Sequence, residues 1–473
     1  MIDLLIIGAG IVGCQLAYDL SHFKLSVCVL EKNVEIMNET SSSNSALIHA
    51  GYDPEDNTLK AKLNLIGARR YPELCRDLNT DYQAVGSLLV AMHEDERVSL
   101  NELYERAIQR HVPVERFNKA EVLVREPNIN TNVIEALFFP STAIITPWQM
   151  GYALMNHAVL NGVELRRHEA FVSVVKDGDH YRVTTSKGTI EARHVINAAG
   201  LQAHTIAAIQ NSENKYPIQF RKGEYQVSDI GDEDYLNHII YPCPSVKGKG
   251  VLALKTIEGN LMFGPTNTVV EDPYDHGTTQ VGLDEIDLKI ANIIKPLPKA
   301  RLIRQFAGVR PSPLTKDFIL SEDNGWFDCV GIDSPGLASA PGISEYVIDT
   351  YVSKYFNLER HETRVQFKWP HRIHPQDEAK RNAMIQSKPL MGKIVCVCET
   401  VSEQEIIDAI HLPVGARSVK GVKRLTRPGS GRCQGGFCET AVVKILAREL
   451  KIRFEDVPYD NEAFLSSYGS ADE

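Results

Sequence analysis

The sequence has no apolar run near the roughly 20 residues that a membrane-spanning helix needs. Its opening Leu4-Leu5-Ile6-Ile7 has no basic leader before it and no small-residue cleavage site after it. The expectation is a cytoplasmic chain with no transmembrane segment, and a peripheral place at the inner face of the cell membrane is left open. Positive charge is also in short supply. The 51 Lys and Arg against 61 Asp and Glu give a formal net charge of -10, which speaks against a nucleic-acid partner, because phosphate backbones call for a basic surface. A small anionic substrate stays open, since a few cations can set the field inside one pocket. Internal repeats are missing too.

What is present is an ordinary globular composition, 43% hydrophobic and 24% charged over 473 residues. That length suggests about three domains. Five of the nine cysteines (Cys14, Cys28, Cys75, Cys243, Cys329) are scattered in apolar settings and read as reduced core residues. The other four cluster late in the chain, a metal pattern more than a disulfide pattern. Residues 3–31 read strand, glycine turn, helix, strand. Helices are expected over 58–79, 96–111, 281–296 and 342–355. A second helix-then-strand pattern spans 147–199, antiparallel strands span 217–267, and a buried strand spans 327–332. Residues 357–390 read as a polar linker, 391–456 as a compact Cys-containing segment, and 457–473 as a loose acidic tail.

The first strand runs into Gly8-Ala9-Gly10-Ile11-Val12-Gly13. Gly8 permits the tight turn, Gly10 lets backbone approach a pyrophosphate, and Gly13 allows close helix–strand packing. The helix start then offers N–H groups and partial positive charge to phosphates. The next strand ends in Glu31, a carboxylate that can accept from both ribose hydroxyls and repel a 2′-phosphate. This unit alone leaves FAD and NAD both possible.

Three later segments narrow the choice: Thr40–Gly51 (TSSSNSALIHAG), Val195–Gly200 (VINAAG) and Ser334–Pro341 (SPGLASAP). With them the chain, over about residues 1–352, resembles the D-amino-acid-oxidase-like superfamily of FAD enzymes. It is most similar to the glycerol-3-phosphate oxidase and dehydrogenase group, with L-2-hydroxyglutarate dehydrogenases as near relatives. The resemblance implies FAD along Gly8, Gly10, Ile11, Val12, Gly13, Glu31, Lys32, Ser42, Ser43, Asn44, Ser45, Val172, Ala199, Gly200, Gly308, Gly336, Leu337 and Ala338. It also implies His49 beside the flavin ring, where a base with a pKa near operating pH suits removal of a hydroxyl proton. Arg310, Lys249 and Ser334 match the group's substrate positions. Arg310 can grip a carboxylate or phosphate with two parallel bonds, and Lys249 adds a point charge. Structural roles compete: His49 as a strand-end hydrogen bonder, Lys249 as an exposed hairpin lysine, Arg310 as an ion-pair partner.

Cys396-Val397-Cys398 and Cys433-Gln434-Gly435-Gly436-Phe437-Cys438 supply four thiolates. The Cys-x-Cys pair is atypical for zinc, and four thiolates also suit a [2Fe-2S] cluster. With the run Thr426–Gly431 and the helix Glu439–Glu449, this segment resembles the bacterioferritin-associated-ferredoxin-like [2Fe-2S] domain.

The fold class expected is α/β. A Rossmann-like FAD domain (1–79, 146–212, 311–356) would carry an inserted antiparallel-sheet substrate domain (80–145, 213–310) and a small α-rich [2Fe-2S] domain (391–456). The function implied is FAD-dependent oxidation of sn-glycerol 3-phosphate to dihydroxyacetone phosphate, with electrons leaving through the cluster to a protein partner or quinone-linked acceptor. A 2-hydroxy acid such as L-2-hydroxyglutarate is the alternative substrate, and a non-catalytic electron-transfer or assembly subunit the alternative class.

Overall fold

The computed structural model describes residues 1–213, 215–229, 231, 235–244, 250–296 and 302–463. The strand Ile2–Ile7 is the middle of an eight-stranded sheet. It pairs in parallel with Val27–Leu30 on one side and Gly188–Asn197 on the other. Trp326–Val330 adds in parallel beyond Gly188–Asn197. Leu4, Leu5 and Ile6 are fully buried, as expected of a parallel sheet covered on both faces. The helices Ile11–Leu20 and Pro147–Leu160 pack together on this sheet.

A second sheet of nine strands is mostly antiparallel. Its long pair, Ile218–Ser228 and Leu302–Pro313, runs in continuous register from Ile218↔Pro313 to Val227↔Arg304. One junction departs from the antiparallel expectation: Ile239–Pro242 pairs in parallel with Ser87–Ala91. A three-stranded patch places Leu47–Ile48 against Ala143–Ile145, which fixes the chain just before His49.

Three expectations need correction. The helix expected at 342–355 begins at Gly336, and Pro341 lies inside it. Proline cannot donate to the carbonyl four residues back. Here that carbonyl, on Leu337, accepts from the Tyr71 hydroxyl at 2.7 Å instead, so the helix continues through the proline. Residues 357–390 are not a free linker. Phe367 and Ile373 are buried, the backbone around Glu359–His361 bonds to His22 and Lys24, and Glu378–Ser387 is helical. Nor is the tail loose from its start. Val457 is buried, Pro458 and Tyr459 accept from Val419 and Lys420 N–H groups, and Asn461 caps Val34; residues 464–473 lie outside the described residues.

The C-terminal segment is a short hairpin, Ile394–Cys396 with Val401–Ser402, followed by helices Glu403–Ile410, Val419–Thr426 and Glu439–Leu450. Ser402 and Glu405 form a capping box, which satisfies two helix-start donors at once. Ile406, Val422, Val443 and Leu446 belong to the same apolar cluster as Leu4, Val12 and Ala153 of the first sheet's layer. The segment is therefore packed onto the main body through a shared core. Among the described residues, no helix is long and apolar enough to cross a membrane.

Candidate active site and cysteine cluster

Where the two sheets meet, one cavity of about 670 Å3 runs from Gly10, Ile11 and Val12 past Ala198 and Gly200, along Ser43–Leu47 and Gly308, to Ser334–Ala338. The glycines make its inner end possible. A Cβ on Gly8 would lie 2.6 Å from the Ala198 carbonyl oxygen, and one on Gly13 would lie 1.9 Å from that of Gly8. The turn thus brings two strands and a helix closer than any side chain permits. Gly308 works the same way further along, where a Cβ would stand 2.2 Å from the Ser43 carbonyl oxygen.

The Ser/Asn loop is held by its own bonds. Asn44 Nδ2 donates to Ser41 O at 2.9 Å, its Oδ1 accepts from Ala46 N–H at 2.8 Å, and Thr40 Oγ1 donates to Val309 O at 2.7 Å. Glu31 is buried at the end of its strand. Its carboxylate takes the Ala9 and Asn33 N–H groups at 2.8 and 2.9 Å. Burial pushes its pKa up against those two bonds.

His49 lines the outer half of the cavity with Tyr225, Tyr241 and Arg310. His49 Nδ1 and the Tyr241 hydroxyl share a hydrogen bond of 3.3 Å, and Ser45 and Tyr225 share one of 3.2 Å. Burial holds both tyrosines protonated, with pKa values raised above the usual phenol range. Arg310 Nη2 donates to Thr266 O at 3.3 Å. At the mouth, Lys60 pairs with Asp333 at 2.6 Å.

Of the positions expected at the cofactor and substrate, His49, Arg310, Ser334, Gly10, Ile11, Val12, Ser43, Asn44, Ser45, Gly200, Gly308, Gly336, Leu337 and Ala338 all line this one cavity. Gly8, Gly13, Glu31 and Ala199 are not part of its lining. Lys32 is turned to Tyr274 and Glu39, and the Ser42 hydroxyl is turned back on Asn38 and Glu39 carbonyls. Val172 stands in a strand irregularity with an exposed side chain, away from the cavity lining. Lys249 lies outside the described residues. Sequence reasoning missed Ser41, whose hydroxyl takes the Ile11 N–H at 3.0 Å and which belonged to the same Ser run. It also missed Tyr241 and Arg221, which carry no local signal.

The four late cysteines pair two and two. Cys398 and Cys433 sulfurs are 3.8 Å apart, and Cys396 is hydrogen-bonded with Cys438. Contact with Cys438 draws the Cys396 thiol down to about 6, and the Phe437 and Gly435 N–H groups draw Cys433 down. Among the described residues no three His, Cys, Asp or Glu side chains close around a single ion. Two thiol pairs fit a two-iron cluster better than a tetrahedral zinc, which needs its ligands at one point.

Comparison with known proteins follows the same division. Residues 3–350 match the family described as DAO, FAD dependent oxidoreductase, and residues 394–448 match the BFD-like [2Fe-2S] binding domain. A glycerol 3-phosphate dehydrogenase of Caloramator mitchellensis is 41% identical over 470 residues, covering 98% of this chain and 97% of that one. A glycerol 3-phosphate oxidase of Mycoplasma genitalium is 32% identical over 364 residues, covering 74% and 94%. Among solved structures, an FAD-bound, dithionite-reduced L-alpha-glycerophosphate oxidase of Mycoplasma pneumoniae superposes with a TM-score of 0.73 at 27% identity, covering 78% of this chain and 99% of that one.

Proposed function

We propose, for a chain that belongs to the DAO family of FAD-dependent oxidoreductases and carries a BFD-like [2Fe-2S] binding domain, that its reaction is the oxidation of sn-glycerol 3-phosphate to dihydroxyacetone phosphate. The observation that carries the reading is the meeting of His49 and Arg310 on one cavity beside the dinucleotide cradle. The full-length likeness to a glycerol 3-phosphate dehydrogenase supports the choice of substrate.

Arg310 holds the anionic end of the substrate through its guanidinium fork. His49, which shares a hydrogen bond with the Tyr241 hydroxyl and lines the cavity, takes the proton of the substrate hydroxyl. Leu47, Leu89 and Leu252 line the same space and keep water from the reacting carbon. FAD held along Gly10, Ile11, Val12, Ser43, Asn44, Ser45 and Gly336–Ala338 would supply the acceptor for the carbinol hydride, and a [2Fe-2S] cluster held by Cys396, Cys398, Cys433 and Cys438 would supply one-electron chemistry toward a protein or quinone-linked acceptor.

Anaerobic addition of glycerol 3-phosphate to the holoenzyme should bleach the oxidised-flavin absorbance, followed by the electron paramagnetic resonance signal of a reduced cluster. A flavin that stays oxidised with glycerol 3-phosphate but bleaches with L-2-hydroxyglutarate would replace this substrate with a 2-hydroxy acid.

A further inference from the structure

We propose that Arg221 is a second anchor for the substrate's phosphate, closing with Arg310 into a two-guanidinium clamp that selects a dianionic phosphate over a carboxylate. The proposal rests on the functional reading above and concerns a residue that reading does not use.

Arg221 and Arg310 stand directly opposite each other in the antiparallel pair Ile218–Ser228 and Leu302–Pro313. Directly opposed residues share a face, with Cβ atoms about 4.5–5.5 Å apart. Two neighbours on the same ladder confirm that face. Tyr225 and Phe306, also opposed, stack with ring centroids 4.6 Å apart. A Cβ on Gly223, two residues from Arg221, would touch Arg310 Nη2 at 3.4 Å. The same face lines the large cavity through Arg221, Tyr225, Gly308 and Arg310.

Like charges directly opposed across a ladder destabilise it, so a compensating anion is expected nearby. Among the described residues none is within ion-pair distance of either group. Arg310 makes one bond, to the Thr266 carbonyl at 3.3 Å, and Arg221 makes one contact, with Asn267 Oδ1 at 3.5 Å. Each guanidinium has five N–H donors, so both forks keep most of theirs for a ligand. Lys60, the neighbouring cation at the mouth, is already paired with Asp333.

The chemistry of the ligand follows from the count. A carboxylate offers two oxygens and one charge, and a single fork already engages both oxygens. A phosphate monoester offers three terminal oxygens and up to two charges. It can occupy one fork with two oxygens and present the third to a second guanidinium, which also relieves the repulsion between the two arginines.

The test is anaerobic titration of the holoenzyme with glycerol 3-phosphate, following flavin bleaching in the wild type, Arg221→Gln and Arg221→Lys, with FAD content measured for each. The clamp predicts a half-saturation concentration raised about 10- to 100-fold in Arg221→Gln, from loss of a charged hydrogen-bonding partner. The limiting bleaching rate should hold within a few fold, and Arg221→Lys should recover part of the affinity, because it restores charge without the fork. A wild type that glycerol 3-phosphate does not bleach overturns the functional reading. A wild type that bleaches while Arg221→Gln keeps its half-saturation within twofold overturns the clamp, as does an Arg221→Lys variant no better than Arg221→Gln.

Discussion

Glu35 lies four residues beyond the buried carboxylate Glu31 and is fully buried between the first sheet and the C-terminal helices. Its carboxylate accepts from the Tyr152 hydroxyl at 2.7 Å, the Arg417 N–H at 2.7 Å, the Ser418 hydroxyl at 2.9 Å and Arg167 Nη1 at 3.3 Å. Removing one partner of a buried charged network costs about 3–5 kcal/mol, so Glu35→Ala should destabilise the protein by that amount and loosen the C-terminal helices first. Gly421 gives an independent handle on the same contact. A Cβ there would sit 2.0 Å from Glu35 Oε1. In the wild type, Gly421→Ala must displace the carboxylate from its donors, at about 1–3 kcal/mol for the overpacking. In a Glu35→Ala background the obstacle is gone, and the same change should instead stabilise the helix by up to about 1 kcal/mol. The effect of one substitution thus reverses sign with the other. Thermal unfolding followed at the cluster's visible absorbance and by flavin fluorescence measures both, and a Gly421→Ala cost equal in the two backgrounds would refute the reasoning.

His49→Ala should slow flavin reduction by glycerol 3-phosphate about 10^2- to 10^4-fold with FAD content unchanged; a variant reduced at the full rate removes His49 as the base. Cys398→Ser should abolish the cluster's visible absorption while glycerol 3-phosphate still bleaches the flavin anaerobically, and equal loss of both signals would place the cluster elsewhere than downstream. Gly308→Ala should yield protein poor in FAD, because its methyl meets the Ser43 backbone at 2.2 Å; wild-type flavin content in the purified variant contradicts this. His157 is held neutral, with burial lowering its pKa to about 4, and Arg364 adding to the effect. The unfolded chain, with an ordinary value near 6.5, takes up a proton that the folded chain refuses, so this contribution is complete above about pH 6.5. It is lost as pH falls toward 4, about 3 kcal/mol in all. Melting temperature should therefore drop below pH 6.5 in the wild type and less steeply in His157→Gln, and parallel pH profiles would exclude His157 as a source.

What was legible in the sequence was what short stretches encode by themselves. Gly8 and Gly13 declare a close approach because a Cβ at either would run into backbone at 2.6 and 1.9 Å, and the Ser/Asn loop leads to His49 within a few residues. The spacing of the four cysteines belongs to the same class. The misreadings all involve partners far along the chain. Pro341 reads as a helix breaker unless the Tyr71 hydroxyl, 270 residues away in sequence, is known to take the stranded carbonyl. Phe367 and Ile373 carry no period within a polar stretch, and their burial depends on the surfaces they meet. Arg221 is invisible for the same reason: its meaning comes from standing opposite Arg310, and pairing register is a tertiary fact.

The strand Leu302–Pro313 also bears on why the cysteine domain docks where it does. Along one face it presents Arg310 and Gly308 to the large cavity, then Phe306 stacked on Tyr225, then Arg304. Arg304 Nη1 donates to Gln434 Oε1 at 3.3 Å, between Cys433 and Cys438, and lines a small cavity with Cys438. Six residues of strand span about 20 Å, so Arg310 and the contact of Arg304 with the cysteine loop occupy two ends of one strand, with the close approach of Gly308 to Ser43 between them. Glu35 fastens the same docking from the dinucleotide side. A domain kept only to assemble subunits could be tethered anywhere on the surface. Fixing it to the strand that borders the large cavity, and to the loop that follows Glu31, fits the electron exit proposed above, because one-electron transfer needs a short and constant distance and a swinging tether supplies neither.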